Sequence, residues 1–255
     1  MPDQPVKARG IAVILAGGTG SRVGSATPKQ LVDLAGMPVM EHSVAVFQAS
    51  GAIDEIHIVM HPDHIAEAEK IAGRYPKVTK TLAGGATRND STKAALDELR
   101  TAQRPDAKVL FHDAARPLVT QRTIDDVLAA LDAHAAVSVG VPSADTIFEL
   151  NDHGEIARVP ARRSLRRAQT PQGFRLETIQ RAYDLAWRDA AFTEATDDCS
   201  VVFRYLPKVP IAVVMGSDNN LKITEPADIF LAEKLLQGSS VELHRLGEGG
   251  DGLAV

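Results

Sequence analysis

The sequence predicts an α/β protein built on a doubly wound, mostly parallel sheet, and three observations predict it. Short apolar, β-rich runs alternate with segments whose apolar residues recur at helical spacing, as strand–crossover–strand units require. The first of these runs breaks directly into a glycine-rich turn, Gly17-Gly18-Thr19-Gly20. A chain of 255 residues with 44% apolar content is long enough to bury a real core, as one large domain or two small ones.

Taken in order, Ile11–Ala16 is wholly apolar and reads as a buried strand, followed by a helical pattern over Val39–Ala49. Glu55–Met60 is the next strand, then a helix over Asp63–Arg74. Val78–Leu82 and Lys108–His112 are strands separated by a helix over Asp90–Ala102, and Thr120–His134 leads as a helix to a strand at Ala136–Val141. Ligands of such sheets sit outside the carboxyl ends of the strands. The glycine stretch, "AGGATRNDS" and "HDAARP" all fall at those ends, so three loops converge on one edge.

The pattern changes after Val141. "DTIFELNDHGEIARVPARRSLRR" alternates apolar and polar residues around Asn151-Asp152-His153-Gly154, which predicts a hairpin. A hairpin inserted in an α/β domain projects as an arm, here about 143–168, that packs on a partner subunit; the alternative is a surface excursion with no partner. Helices return at Leu176–Arg188 and Asp198–Tyr205, then a strand at Val209–Met215 and a last helix at Pro226–Leu236. The expected organisation is a flexible N-terminus at 1–10, a single domain over 11–238 and a glycine-rich flexible tail at 239–255.

Composition excludes several classes. The longest apolar run near the start, Ile11–Ala16, is far too short to span a bilayer, and Met1–Gly10 lacks the layout of a signal peptide. One cysteine, Cys199, rules out an internal disulfide and suits a cytoplasmic protein. A net charge of −5 argues against nucleic acid as the main partner, so any anionic ligand must be met by a local basic pocket.

The glycine loop is a candidate for that pocket. Gly18-Thr19-Gly20-Ser21-Arg22-Val23 opens like a dinucleotide fingerprint, but Val23 stands where the third glycine belongs, which weakens the reading as an NAD-dependent oxidoreductase. No Gly-Lys-Ser/Thr follows, so it is not a Walker A loop. Pro28 also discourages a helix directly after the glycines. The loop from Gly17 to Lys29 therefore offers free backbone N–H groups, a bidentate fork at Arg22 and a mobile point charge at Lys29. That set suits a triphosphate attacked at its α-phosphorus.

A-G-G-x-G-x-R-x-G followed by P-K-Q resembles the nucleotidyltransferases that transfer a nucleoside monophosphate to a sugar or polyol phosphate. "GGATRNDS", "HDAARP", "DTI", "QTPQGF", "TDD" and "LKIT" follow in the order expected of the cytidylyltransferases that act on 2-C-methyl-D-erythritol 4-phosphate or D-ribitol 5-phosphate. The resemblance covers Ile11 to Gln237, nearly the whole chain. It implies a Rossmann-like doubly wound, mostly parallel sheet of the nucleotide-diphospho-sugar transferase type, with a projecting β-hairpin arm that makes a homodimer. Methylerythritol members usually read Ala-Ala-Gly where this chain has Ala16-Gly17-Gly18 and often carry a basic residue at the place of Ala144; both departures lean to the ribitol branch. Ala115 leans back, since ribitol members often have valine there, and both acceptors stay open. A related enzyme using another phosphate or a phosphonate acceptor, or a regulator that binds CTP without turnover, are the remaining alternatives.

The resemblance assigns roles. Arg22, Lys29 and Lys222 would hold the triphosphate of CTP and neutralise the transition state. Ala16, Gly17, Gly18, Gly20, Gly85, Asp90 and Ser91 would hold the nucleotide, with Asp90 and Ser91 also placed to cap a helix. Thr146 and Arg162 of a neighbouring arm would hold the acceptor phosphate, Arg163 competing with Arg162, and Thr196-Asp197-Asp198, Asp197 first among them, would bind acceptor hydroxyls. Asp113 ends a buried strand, where a bare carboxylate is costly unless it is paired or binds a metal. Magnesium (Mg²⁺) takes one or two carboxylates plus substrate phosphates, so Asp113 is the candidate metal ligand, with an ion pair to Arg116 as the alternative. His112 reads as an orienting or packed residue; the eight histidines show no zinc spacing.

Overall fold

The computed structural model describes residues 10–18, 27–101 and 106–247. Strand β1 (Gly10–Ala16) begins one residue earlier than its apolar run, so Gly10 belongs to the sheet and not to a flexible N-terminus. A 3-10 turn at Lys29–Leu31 and a small hairpin of β2 (Asp33–Leu34) and β3 (Met37–Pro38) lead to α1 (Val39–Ala49). Then come β4 (Glu55–Met60), α2 (Ile65–Ala72), β5 (Val78–Ala83), α3 (Arg88–Thr101), β6 (Lys108–Asp113), α4 (Gln121–Ala133) and β7 (Ala136–Pro142). The exposed hairpin β8 (Glu149–Leu150) and β9 (Ile156–Arg158) precedes β10 (Arg166–Arg175), α5 (Leu176–Arg188), α6 (Asp198–Tyr205), β11 (Ile211–Met215) and α7 (Pro226–Gly247).

Seven strands form one sheet in the order β11-β7-β10-β6-β1-β4-β5, parallel except for β10, which runs antiparallel to both β6 and β7. Alternation along β1 feeds two cores. Ile11, Val13 and Leu15 pack with α3, α5 and α6, while Ala12, Ile14 and Ala16 face the layer of α1, α2 and α4. Each fully buried Ile, Val or Phe contributes ~1.5–3 kcal/mol, and this two-faced burial is what the continuous apolar runs encode. Helix ends follow local chemistry: Thr120 accepts a hydrogen bond from the Thr123 N–H at the start of α4, and Asp197 accepts one from the Ser200 N–H at the start of α6.

Three expectations are corrected. The strand at 166–175 was not expected, because "RRAQTPQGFR" lacks alternation and contains a proline. It holds its place through buried polar partners instead, and its Thr170–Pro171 peptide is cis. Arg166, Arg167 and Ala168 pair with Pro142, Val141 and Gly140 of β7, so they belong to the main sheet and the arm ends before them. Finally, α7 continues through Gly247, so part of the stretch set apart as a flexible tail is helical. The arm's turn is built as its residues demand: Asn151 Oδ1 accepts from the N–H groups of His153 and Glu155, and Gly154 takes φ +78°.

Gly173 is where α4 meets the sheet. A Cβ there would lie 2.5 Å from Val127 Cγ1 and 3.0 Å from Leu131 Cδ1, whereas one at Gly51 would meet nothing within 4 Å. Urea unfolding of Gly173→Ala is expected to show a loss of about 1–3 kcal/mol, with Gly51→Ala within about 0.5 kcal/mol of wild type. Equal stabilities for the two variants would contradict this packing.

Candidate active site

The carboxyl ends of β1, β5 and β6 open on a cavity of about 420 Å³. Ala16, Gly17 and Gly18 form one wall, and Gln30 fixes them by donating from Nε2 to the carbonyls of Ala16 at 2.6 Å and Gly18 at 2.8 Å. Ala86, Thr87 and Ser91 form the opposite wall. Lys29, Glu194 and Lys222 complete the rim, and Asp113 lies at the base beside Ala114 and Ala115. Seven of the residues expected to act together, Ala16, Gly17, Gly18, Lys29, Ser91, Asp113 and Lys222, therefore share one cavity. Gly20 and Arg22 lie outside the described residues.

The two glycine-rich segments approach closely over Ser91. A Cβ on Gly17 or Gly84 would lie 2.5 or 2.7 Å from Ser91 Oγ, so only a bare backbone leaves that hydroxyl room. Ser91 Oγ donates to the Thr87 carbonyl at 3.1 Å. Thr87 and Asp90 cap the start of α3 reciprocally: Asp90 Oδ2 accepts from the Thr87 N–H at 3.0 Å and Thr87 Oγ1 from the Asp90 N–H at 3.1 Å. Asp90 lines the adjoining cleft with Trp187 and Phe192, while capping α3 as expected. Gly85 is not on the wall either; it abuts Asp90, where a Cβ would come within 2.2 Å of the Asp90 Cβ.

A second cavity of about 230 Å³ adjoins the first and shares Arg88, Asp113 and Lys222 with it. Its other walls come from Thr170 and Gln172 of β10, Arg116, and Thr196 with Asp197 ahead of α6. Asp197 is thus at this second cavity, with Oδ2 accepting from Gln172 Nε2 at 2.7 Å. Thr146 and Arg162 line neither cavity; they meet each other on the exposed arm, Arg162 Nη2 donating to Thr146 Oγ1 at 3.2 Å.

Asp113 is 9% exposed and takes a cation on each oxygen: Lys222 Nζ at 2.8 Å and Arg88 Nε at 3.3 Å. Burial alone would raise its pKa, but the charges of Arg88 and Lys222 win and hold it well below the usual carboxylate range. The expected alternative, an ion pair with Arg116, is not formed; only the Arg116 backbone N–H donates to the Asp113 carbonyl, at 2.9 Å. Arg116 donates to the carbonyls of Asn220 at 2.8 Å and Ala168 at 3.4 Å, and so fixes the segment that delivers Lys222. Arg88 also reaches Asp198, fully buried, at 2.8 Å.

Among the described residues no group of three or more His, Cys, Asp or Glu side chains could cage a metal. One ionised carboxylate at the base of a cavity fits magnesium only as an ion carried mainly by phosphate oxygens, which is how that cation is commonly held.

His112 is fully buried and its partners dictate one protonation state. Nε2 lies 3.0 Å from the Arg116 carbonyl, and Nδ1 lies 3.1 Å from Thr170 Oγ1, which already accepts from the Asp113 N–H. The neutral ring, donating from Nε2 and accepting at Nδ1, satisfies all of these. Burial, opposed by the Arg116 carbonyl bond and the Asp113 charge, lowers its pKa from 6.5 to about 4. With both ring nitrogens engaged, the imidazole orients the Asp113–Arg116 turn.

Sequence reasoning missed Arg88, Thr170 and Gln172, and placed Asp198 only beside the acceptor. The missed three stand inside quoted motifs, "GGATRNDS" and "QTPQGF", and their polar character on buried elements was the signal. Because the folded state binds the His112 proton less tightly than the unfolded chain, its stabilising contribution is complete above pH 6.5 and is lost as pH falls toward about 4. Denaturant unfolding across that window is expected to show a loss of up to roughly 3 kcal/mol that His112→Gln lacks. A slope unchanged in the variant would assign it to other groups.

The model of the 2-C-methyl-D-erythritol 4-phosphate cytidylyltransferase family matches residues 11–238. The 2-C-methyl-D-erythritol 4-phosphate cytidylyltransferase of Thermobifida fusca is 50% identical over 243 residues, covering 92% of this chain and 97% of that protein. The bifunctional ribulose 5-phosphate reductase/CDP-ribitol pyrophosphorylase Bcs1 of Haemophilus influenzae is 40% identical over 237 residues, covering 92% of this chain and 49% of that protein. Among solved structures, the 4-diphosphocytidyl-2C-methyl-D-erythritol synthase of Anaerococcus prevotii superposes with a TM-score of 0.79 at 27% identity, covering 91% of this chain and 99% of that one.

Proposed function

The chain belongs to the 2-C-methyl-D-erythritol 4-phosphate cytidylyltransferase family, and from that premise we propose that it transfers CMP from CTP to a polyol phosphate with release of pyrophosphate. The observation that carries this reading is the wall of Arg88, Asp113 and Lys222 common to two adjoining cavities, one large enough for a nucleotide and one smaller. Two anions meeting across a cationic wall is what phosphoryl-group transfer between them demands.

The acceptor's phosphate oxygen attacks the α-phosphorus of CTP, a new P–O bond forms, and the bond from the α-phosphorus to the bridging oxygen breaks to release pyrophosphate. A phosphate monoester has a second pKa near ~6, so it is already mostly a dianion at neutral pH and needs no general base. The chain's own residues position and neutralise. Lys222 reaches the α-phosphate from the shared wall, Lys29 and Arg22 serve the triphosphate, and Ala16, Gly17 and Ser91 surround the base. Magnesium would be held by triphosphate oxygens with Asp113 as the protein's carboxylate, and it supplies further neutralisation of the charge that builds at phosphorus.

2-C-methyl-D-erythritol 4-phosphate is the acceptor this reading favours, because the relative bearing that activity aligns over 97% of its length at 50% identity. Ribitol 5-phosphate is the second reading, supported by the 40% identical Haemophilus protein. A homodimer in a cytoplasmic setting completes the picture. The arm carries exposed apolar side chains, Ile147, Phe148, Leu150 and Ile156, suited to a partner subunit, on which Thr146 and Arg162 would meet the acceptor phosphate.

Pyrophosphate release with CTP and Mg²⁺ tests the whole reading. Methylerythritol 4-phosphate is expected to exceed ribitol 5-phosphate, and Lys222→Ala to lower kcat/KM by about 10²–10³-fold. Release with neither acceptor, or an unimpaired Lys222→Ala, would overturn it.

A further inference from the structure

Lys222 has two demands on one ammonium. Its Nζ donates to Asp113 at 2.8 Å, and the reaction proposed above needs the same group on the nucleotide's phosphates. When Nζ turns to phosphate, the buried Asp113 loses one of its two cations, and an unpaired buried carboxylate is costly. Arg88 is the protein's own cation that remains on Asp113, beside any magnesium that the triphosphate brings. It cannot follow Lys222, because its Nη2 is held by Asp198 Oδ2 at 2.8 Å. Asp198 is itself anchored on Oδ1 by Thr92 Oγ1 at 3.0 Å and Tyr183 Oη at 2.7 Å. The planar fork thus spans two carboxylates that a lysine's point charge could not bridge.

We propose that Arg88 is a positioning residue: anchored on Asp198, it keeps the Asp113 carboxylate paired and so releases Lys222 to the phosphates of the nucleotide. The inference rests on the cytidylyl-transfer reading for where Lys222 goes, but its ground-state half, that Arg88 stands in for Lys222 at Asp113, does not. The same contact ties the wall shared by the cavities to the start of α6, because the Asp198 N–H donates to Gln172 Oε1 at 3.0 Å beside Asp197.

The test is a pair of cycles run in the native protein and again with Asp198→Asn, which removes the charge that Arg88→Met would otherwise strand together with the Oδ2 acceptor that anchors Arg88. In thermal unfolding, Lys222→Ala is expected to lower Tm by about 2 °C or less when Arg88 is present and by at least about twice that with Arg88→Met. Equal decrements would mean that Arg88 does not stand in for Lys222. In steady-state kinetics with CTP and the preferred acceptor, Arg88→Met is expected to lower kcat about tenfold or more when Asp113 is intact. In Asp113→Asn, where nothing traps Lys222, it should change kcat less than about twofold. Losses that simply multiply would overturn the proposal, assigning Arg88 a contact with substrate or a purely structural role. Arg88→Lys, which keeps one cation beside Asp113, is expected to recover part of kcat and carries the same cycles if Arg88→Met does not fold. If the parent enzyme releases no pyrophosphate, the functional reading falls while the unfolding cycle still decides the pairing of Arg88.

Discussion

A carboxylate buried at the end of a central strand constrains most of what surrounds it. Asp113 lies at the carboxyl end of β6, next to β1 in the sheet, and desolvating it is tolerable only with counter-charge at hand. One counter-charge comes from the first turn of α3 and the other from the segment before α7, residues 25 and 109 positions away in sequence. Satisfying one side chain therefore fixes the relative placement of a strand, a helix and a loop. Arg116 and Gln169 extend the constraint by holding the Asn220 carbonyl, so that the segment carrying Lys222 enters the site at a set position.

The sequence made legible what burial alone determines. β1, β4, β6 and β7 are buried on both faces and rich in apolar residues, and their bounds came within a residue because a strand is what buries such runs in a layered α/β fold. β10 was illegible for the opposite reason. Gln169, Thr170 and Gln172 are buried polar residues whose partners, Ser217, His112 and Asp197, lie 25 to 58 positions away, so no local pattern announces the strand. Arg88 failed in the same way: its bond to Asp198 spans 110 positions. The glycines, Lys29 and Lys222 were legible through the resemblance of ordered motifs, and the capping role of Asp90 was legible from its place at the start of α3.

Glycine works here by absence. Gly17, on the loop after β1, and Gly84, on the loop after β5, both crowd Ser91 Oγ, and their backbones close the cavity around a small hydroxyl from two sides. On the proposed function, a base between two such backbones would be read by N–H and C=O groups set by the sheet, and Gln30 locks the Ala16 and Gly18 carbonyls in place. Rigid strands thus deliver a polar edge whose geometry a side chain of ordinary flexibility could not match.

An acidic chain that handles two anions must solve the problem locally. The net charge of −5 gives no general attraction for phosphates. The shared wall is different: Arg88 and Lys222 there face the single carboxylate Asp113, with Arg116 added on one side and Lys29 on the other. Such a cluster would be self-repelling without its carboxylates, and Asp113 and Asp198 hold it together before substrates arrive. On the role proposed for Arg88, substrate phosphates would compete for the same cations, since a dianion with several oxygens outbids one carboxylate oxygen for a mobile ammonium but not for a guanidinium pinned at both ends. Lys222 would then be the part of the wall that moves to the phosphates and Arg88 the part that keeps the protein's own charge in balance.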